Sequence, residues 1–410
     1  MDLIEVRKNL LMLGMSLNFT LRDESGSILL AKGHRIETTQ QLEGLRSRHK
    51  IFVEIDESEE GIRAMMEGIT TLNNIGAPIK DFSKHLKLNL GDSDDKLTGS
   101  LSERWGEVES KLAGLLASVS TTADFEKKIR LLDKHIQSLL AENKSASQFL
   151  LFNRAVTHFN GYSVMHSLLC ASLVHLLAPF FNLTEEQRGS LVCAALTMNV
   201  AMTRLQDILA AQKSEPNPAQ RSEIDSHTTV GKQILQAAKV SDDRWLELVE
   251  RHHAHLHGPE SLADWEPVPR MTKILQTVDR YTAGMSPRKS RSGRTARESV
   301  LSVVVKAGAS KHDEVGTALV RILGVSPPGT YVKLVNGETA VVIRRGIKPG
   351  EPLVAAVLNR NDEPIAEPRL HDTSREKLLV KHTLVASEVR VSIKIDAMLR
   401  LIPKQDATAL

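Results

Sequence analysis

Cysteine is almost absent from this chain: its 410 residues contain two, Cys170 and Cys193. Two thiols cannot staple a disulfide framework. Both stand in apolar, helix-like stretches (HSLLCASLVHLL and SLVCAALTM), so they are expected to be buried free thiols of a reducing compartment. Aromatic residues are scarce too, at 4%, which leaves Leu, Val, Ala and Ile to build the core. Charge of one sign is missing as well. The net charge of +3 is too small to imply a polyanionic partner. No basic stretch is interleaved with aromatics, and no helix-turn-helix or zinc-finger spacing occurs, so nucleic acid is excluded as a partner. No apolar run is read as reaching the roughly 18 residues that a membrane span needs. The longest, LLCASLVHLLAPFF, carries His175 and Pro179, and no span is expected. The opening residues, MDLIEVRKNLLMLGMSLNF, lack the charge order and small-residue cleavage site of a secretory leader. The expected location is the cytoplasm.

What is present suits a globular protein. Hydrophobic residues make up 41% and charged residues 25%, ample for a sizeable core. The length suggests about two to three domains, and the pattern divides into four stretches. Residues 1–60 read as a small β-rich unit. In it SLNFTLRDESGSILLAKG alternates around the turn signal DESGS, TTQQLEGLRSR forms a short Thr-capped helix, and KIFVEID returns as a strand. Residues 61–149 read as a helical linker region with a polar break at GDSDDKLTGS. Its amphipathic runs ERWGEVESKLAGLLASV and FEKKIRLLDKHIQSLLAEN suit a connector packed on the main domain, or a homodimer contact. Residues 150–325 read as almost wholly helical, with Thr184 as a cap, QKSEPNPAQRSEIDSH and ADWEPVPR as connections, and DRWLELVERHH and MTKILQTVDRYTAGM as helices. From residue 326 the pattern turns to β: Asn336–Gly337 between two alternating runs is a strong hairpin signal, and EVRVSIKI near the end is strand-like. The expected class is multidomain α+β, an all-α helical bundle between an N-terminal β-rich unit and a C-terminal β-hairpin region.

Histidine carries the chemistry. Four fall within six residues, His252, His253, His255 and His257, in RHHAHLHG. Upstream, His227 opens HTTVGKQIL and His166 sits in GYSVMHSLL; downstream, Asp279 lies in KILQTVDRYTAGM. Imidazole and carboxylate are the usual ligands of zinc, iron and manganese. An aspartate on the apolar face of a helix also needs a partner to offset its burial. His158, His175, His312, His371 and His382 are read as ordinary surface or packed residues.

The order and spacing of these residues resemble the HD-GYP family, metal-dependent phosphodiesterases that hydrolyse cyclic di-GMP. HTTVGKQIL is similar to the family's HPxxGxxIL, and TVDRYTAG to its VADxYDA. The resemblance covers the main domain and implies an HD-type helical bundle with metal ligands at His166, His227, His252, His253 and Asp279. It also implies losses. Where the family carries His-Asp and a lysine in LLHDIGK, this chain reads LTMNVAM, with Met198, Asn199 and Met202 at those positions. Ala254 and His257 replace the acidic residues of HHE…DG, Tyr162 stands four residues before His166 where a family Glu is frequent, and GPESLADW replaces Gly-Tyr-Pro. Thioether and neutral amide are poor ligands for hard ions. His166 and Asp279 alone would therefore hold one ion poorly, while His227, His252 and His253 could hold a single divalent transition metal (Fe, Mn or Zn), or the chain holds none. Two-metal hydrolysis needs both ions, so no confident catalytic residue is assigned.

Beyond Asp279, SPRKSRSGRTAR is basic. Lys289, Arg294 and Arg297 read as a solvated charged loop. Arg288 and Arg291 fall where the family places phosphate-binding residues, and a guanidinium fork matches phosphate oxygens. The resemblance thus implies a non-hydrolysing cyclic di-GMP sensor or interaction module in bacterial signalling, with other signalling proteins as partners. The alternatives are a phosphodiesterase with an altered metal centre, and a scaffold that binds neither metal nor nucleotide.

Overall fold

The computed structural model describes residues 97–157, 161–289, 293–304, 313–375 and 378–402, with residues 3–5, 11, 17, 20–23, 27–31, 34, 36, 38–48 and 50–54 of the N-terminal part. The sequence expectations for 55–96, His158, Arg291 and His312 lie outside the described residues. The chain divides into two compact units, Met1–Leu97 and Thr98–Leu410.

The first unit is a four-stranded antiparallel sheet of β1 (Leu3–Glu5), β2 (Leu21–Arg22), β3 (Ile28–Leu30) and β4 (Phe52–Glu54), in the order β1-β4-β2-β3. Between β2 and β3 the Ser27 amide donates to Asp23 Oδ1 at 3.0 Å, and the Asp23 amide donates to the Ser27 carbonyl at 2.9 Å. Helix α1 (Thr39–Arg46) starts at the Thr38 cap, in a reciprocal box with Gln41 that satisfies two amides the helix leaves open. Leu11, Leu17, Leu21, Ile36, Leu42, Leu45 and Ile51 form its core.

The second unit begins with α2 (Leu101–Ala117) and α3 (Phe125–Glu142), which pack against the helices that follow. Next come α4 (Lys144–Thr157), α5 (Tyr162–Leu177), α6 (Glu185–Thr197), α7 (Thr203–Ala211), α8 (Pro218–Ala237), α9 (Asp243–Arg251), α10 (Pro267–Met285), α11 (Ala296–Val304) and α12 (Glu314–Leu323). Two of these start earlier than the sequence suggests. QKSEPNPAQRSEIDSH and ADWEPVPR look like loops, yet α8 begins at Pro218 behind the cap Asn217, and α10 begins at Pro267. The reason is the same in both: proline at the first helical position loses no hydrogen bond and brings a preset φ. Thr184 caps α6 as expected, in a box with Gln187.

Helix α5 lies at the centre, packed against α4, α6, α7 and α10. With the turn after it, Tyr162–Phe181 is long and apolar enough by length and composition to cross a bilayer, contrary to the sequence expectation that no run reaches that size; 78% of that window is buried inside the molecule. A helix apolar all round is what a protein core also demands.

The C-terminal part is a five-stranded antiparallel sheet: the expected hairpin, the further pair of strands that PLVAAVLNRNDEPIAEPRL suggests, and a fifth strand. It comprises β5 (Tyr331–Leu334), β6 (Thr339–Arg344), β7 (Leu353–Leu358), β8 (Pro364–Asp372) and β9 (Val380–Leu384), in the order β8-β7-β6-β5-β9. Gly337, at φ +88°, makes the expected turn between β5 and β6. One face packs Tyr331, Val341, Ile343, Ala355 and Val357 onto Ala146 and Phe149 of α4. EVRVSIKI is not a strand. Its Val389, Val391 and Ile393 pack on the same core without ladder bonds, and α13 (Ile395–Leu401) follows. Alternation there reflects one-sided burial, which an extended segment satisfies with or without a sheet. The class is mixed α+β.

Candidate metal centre

Two helices deliver three imidazoles to one point. His227 lies on α8; His252 and His253 follow directly on α9. Their ligand atoms, with those of each partner, all lie within 4.8 Å of one another. His227 and His252 are buried, at 3% and 0% exposure, while His253 is exposed. The ring centroids stand 5.0, 5.2 and 4.3 Å apart for 227–252, 227–253 and 252–253.

The two buried rings are held in one tautomer. His252 Nδ1 lies 2.7 Å from the Val249 carbonyl, and His227 Nδ1 contacts the Ile224 carbonyl. A carbonyl only accepts, so Nδ1 carries the hydrogen in each ring and Nε2 carries the lone pair. The two Nε2 atoms then face each other at 3.1 Å, lone pair to lone pair, which is repulsive unless a cation sits between them. Burial, with His253 nearby, pushes the His252 imidazole down to about 3. Burial lowers His227 too. A proton is therefore disfavoured as that cation. Two nitrogens on one tetrahedral ion at about 2.0–2.1 Å are about 3.3–3.4 Å apart, and on an octahedral ion slightly closer. The spacing, the neutral rings and the backbone-anchored Nδ1 atoms fit a divalent transition metal, so this cluster could hold one.

Beside it lies a second group. His166 on α5 places Nε2 at 2.8 Å from Asp279 Oδ1 on α10 and 3.7 Å from Cys170 Sγ one turn along its own helix. Burial disfavours a charged His166 ring, but Cys170 and the hydrogen bond to Asp279 raise its pKa well above the ordinary imidazole value. Burial likewise opposes ionisation of Asp279, yet the bond to His166 and the neighbouring His252 and His253 bring its carboxyl down to about 2. Asp279 is thus the electrostatic link between the two groups, and the five residues picked from the sequence come together.

Met198 and Asn199 close α6. Both are buried, and the Asn199 Oδ1 has no hydrogen-bond partner among the described residues. They sit against α8, where a Cβ at Gly231 would lie 3.8 Å from the Met198 carbonyl oxygen. Met202 is buried too, so no lysine amine reaches out from that position.

Arg288 is half-buried and turned onto Tyr162: Nη2 donates to the phenol oxygen at 2.8 Å, and the guanidinium carbon stands 4.9 Å from the ring centroid. Tyr162 in turn stacks on His166, with centroids 5.8 Å apart and planes at 12°. Arg288 is therefore linked through one aromatic ring to the metal-ligand candidates. His255 and His257 are exposed and stand outside both groups. Sequence reasoning treated Cys170 as an inert core thiol. The available signal was spacing: Tyr162, His166 and Cys170 recur every four residues, one face of α5.

No protein-family model and no curated protein matches the chain. Among solved structures, the chain is similar to Bd1817, an HDG"Y"P protein from Bdellovibrio bacteriovorus, at 14% identity, with 78% of this chain and 98% of that one covered and a TM-score of 0.43. A likeness of that size leaves the function to be argued from the residues.

Proposed function

We propose that the chain is a degenerate HD-GYP protein, a sensor of cyclic di-GMP that does not hydrolyse it and passes its state to other signalling proteins in a bacterial cytoplasm. The observation that carries this reading is the intact three-imidazole cluster beside His166 and Asp279, with Met198 and Asn199 where a second ion would need imidazole and carboxylate. A divalent ion at His227, His252 and His253 would supply a Lewis-acidic position for a phosphate oxygen. The chain's own residues do the rest. His227 and His252 present lone pairs oriented by backbone carbonyls, exposed His253 leaves that side open, and Arg288 offers a guanidinium for phosphate. Leaving Tyr162 for a phosphodiester exchanges a neutral partner for an anionic one, which strengthens the hydrogen bonds.

Calorimetric titration of the manganese-loaded protein with cyclic di-GMP tests the reading, with products followed by chromatography. Binding without pGpG or GMP is the expected result. Arg288→Ala should weaken binding about tenfold or more, the value of one charge-assisted hydrogen bond of ~1.5–3 kcal/mol. Unchanged binding in that variant would remove Arg288 from the site, and no binding at all would leave a scaffold. A second reading, an altered phosphodiesterase, is favoured by the open side at His253. It requires product that disappears in His253→Ala.

A further inference from the structure

We propose that His166, Cys170 and Asp279 form a second metal site with a nitrogen–sulfur–oxygen donor set, selective for a borderline ion such as zinc or cobalt(II) over manganese. His166 and Asp279 are ligands that the family resemblance already implies; the addition is Cys170, and the inference does not depend on the nucleotide reading. Three observations carry it. The donor atoms lie within 4.8 Å of one another. Two of them converge on one nitrogen, Asp279 Oδ1 at 2.8 Å and Cys170 Sγ at 3.7 Å from His166 Nε2. All three come from the packed interior, with Cys170 at 0% and His166 at 2% exposure and the Asp279 side chain at 17%.

The distances suit such an ion. Sulfur at about 2.3 Å and nitrogen at about 2.0–2.1 Å on a tetrahedral zinc stand about 3.5–3.6 Å apart, close to the contact between Cys170 and His166. The carboxylate would move outward by about half an ångström, since oxygen and nitrogen on such an ion stand about 3.3–3.5 Å apart. Charge balance follows: the ion displaces the Cys170 thiol proton and the proton His166 shares with Asp279, both lost to solvent. Two anionic ligands then face one dication. Thiolate selects softer ions than the oxygen-rich sites of manganese, so the thiol redirects metal choice where Met198 and Asn199 offer no hard ligand.

Cobalt(II) titration of the whole protein, without nucleotide, tests this by absorption. Thiolate ligation gives a near-ultraviolet sulfur-to-cobalt charge-transfer band that imidazole and carboxylate cannot produce. The expected result is a band retained in Cys193→Ser and in the His252→Ala/His253→Ala double variant, lost in Cys170→Ser, and undiminished by a tenfold excess of manganese(II). Because the chain has only two cysteines, a band that survives Cys193→Ser assigns Cys170 even where a Cys170 variant does not fold. Cys193 stands apart, near Asp133, Arg130 and Asp242. A cobalt-saturated wild-type protein without the band overturns the proposal, as does a band that persists in Cys170→Ser or disappears in Cys193→Ser. Either failure leaves the three-imidazole site standing, since its occupancy is read from cobalt lost in the double variant.

Discussion

Two histidine nitrogens facing each other at 3.1 Å define the chemistry of this centre more than the number of histidines does. Each ring spends its Nδ1 hydrogen on a carbonyl of its own chain, three residues back. That local bond sets the tautomer and commits Nε2 to a cation. Removing one ring should therefore cost metal affinity directly. His252→Ala is expected to lower it at least about tenfold, because even outer-shell partners of metal-bound imidazoles are worth that much. Metal analysis after dialysis against graded chelator measures it. His255 and His257, exposed and outside both groups, should tolerate alanine without change in the same assay. Of the four histidines in six residues, the family resemblance singles out His252 and His253, and these two lie in the three-imidazole cluster.

Helices bring these residues together, and their packing has measurable consequences. Helix α8 must lie close to the end of α6 for His227 to meet His252, and Gly231, one turn beyond His227, sits at that crossing. A glycine there invites the explanation that only glycine fits. The geometry disagrees: an added Cβ would find Val249 Cγ1 at 3.4 Å and Val200 Cγ1 at 3.6 Å, ordinary contacts. Gly231→Ala should stabilise the protein by up to about 1 kcal/mol through helix propensity, seen as a raised midpoint in urea unfolding. Helix α9 is anchored by Trp245, fully buried, whose indole nitrogen donates to Thr197 Oγ1 on α6 at 2.7 Å. Trp245→Ala opens a cavity and removes the indole bond to that hydroxyl, which keeps its own bond to the Cys193 carbonyl. The expected loss is about 3–5 kcal/mol, with loss of metal as well, because α9 delivers His252. Helix starts were legible at Thr38 and Thr184, the caps of α1 and α6. They were misread at Pro218 and Pro267, where proline starts a helix instead of stopping the chain.

At the scale of the helical unit, charge is also buried away from the candidate metal centre. Asp133 of α3 accepts from Arg188 Nη1 and pairs with His175 Nε2, both at 2.8 Å, and Arg188 also holds Glu185. Next to it, Asp242 pairs with Arg130 at 2.9 Å, and Arg130 also holds Glu126. Burial works against the Asp133 carboxylate, but His175 and Arg188 outweigh it and hold its pKa below the ordinary value; Asp242 is lowered similarly against burial by Trp245, Ser190 and Arg130. The sign follows. A carboxyl with a depressed folded pKa adds stability above its unfolded value, about 3.9, and that contribution disappears as pH falls through the lower folded value. Urea unfolding between neutral pH and pH about 3 should therefore show stability falling below about pH 4, and Asp133→Asn should flatten the fall while lowering stability at neutral pH. A variant with an unchanged acid slope would show that this network does not govern it.

The sequence by itself determined most helices, the turn after β5 and the candidates, but not the helix starts at Pro218 and Pro267 or the state of EVRVSIKI. Helical periodicity, the Asn336–Gly337 turn and the capping residues are local signals, decided by side chains a few positions apart, and they survive without tertiary context. His166, His227, His252, His253 and Asp279 were marked by the family resemblance of the motifs around them. Tertiary structure alone decided what those residues face. It set the distance between two Nε2 atoms 25 residues apart in the chain, made Asp279 the link between two ligand groups, and turned Arg288 onto Tyr162. It also changed Cys170 from a small apolar residue into a neighbour of imidazole and carboxylate. The physical reason is that a ligand site exists only where lone pairs converge within a few ångströms, and that convergence depends on how α5, α8, α9 and α10 cross, which is set by long-range packing and not by any local pattern.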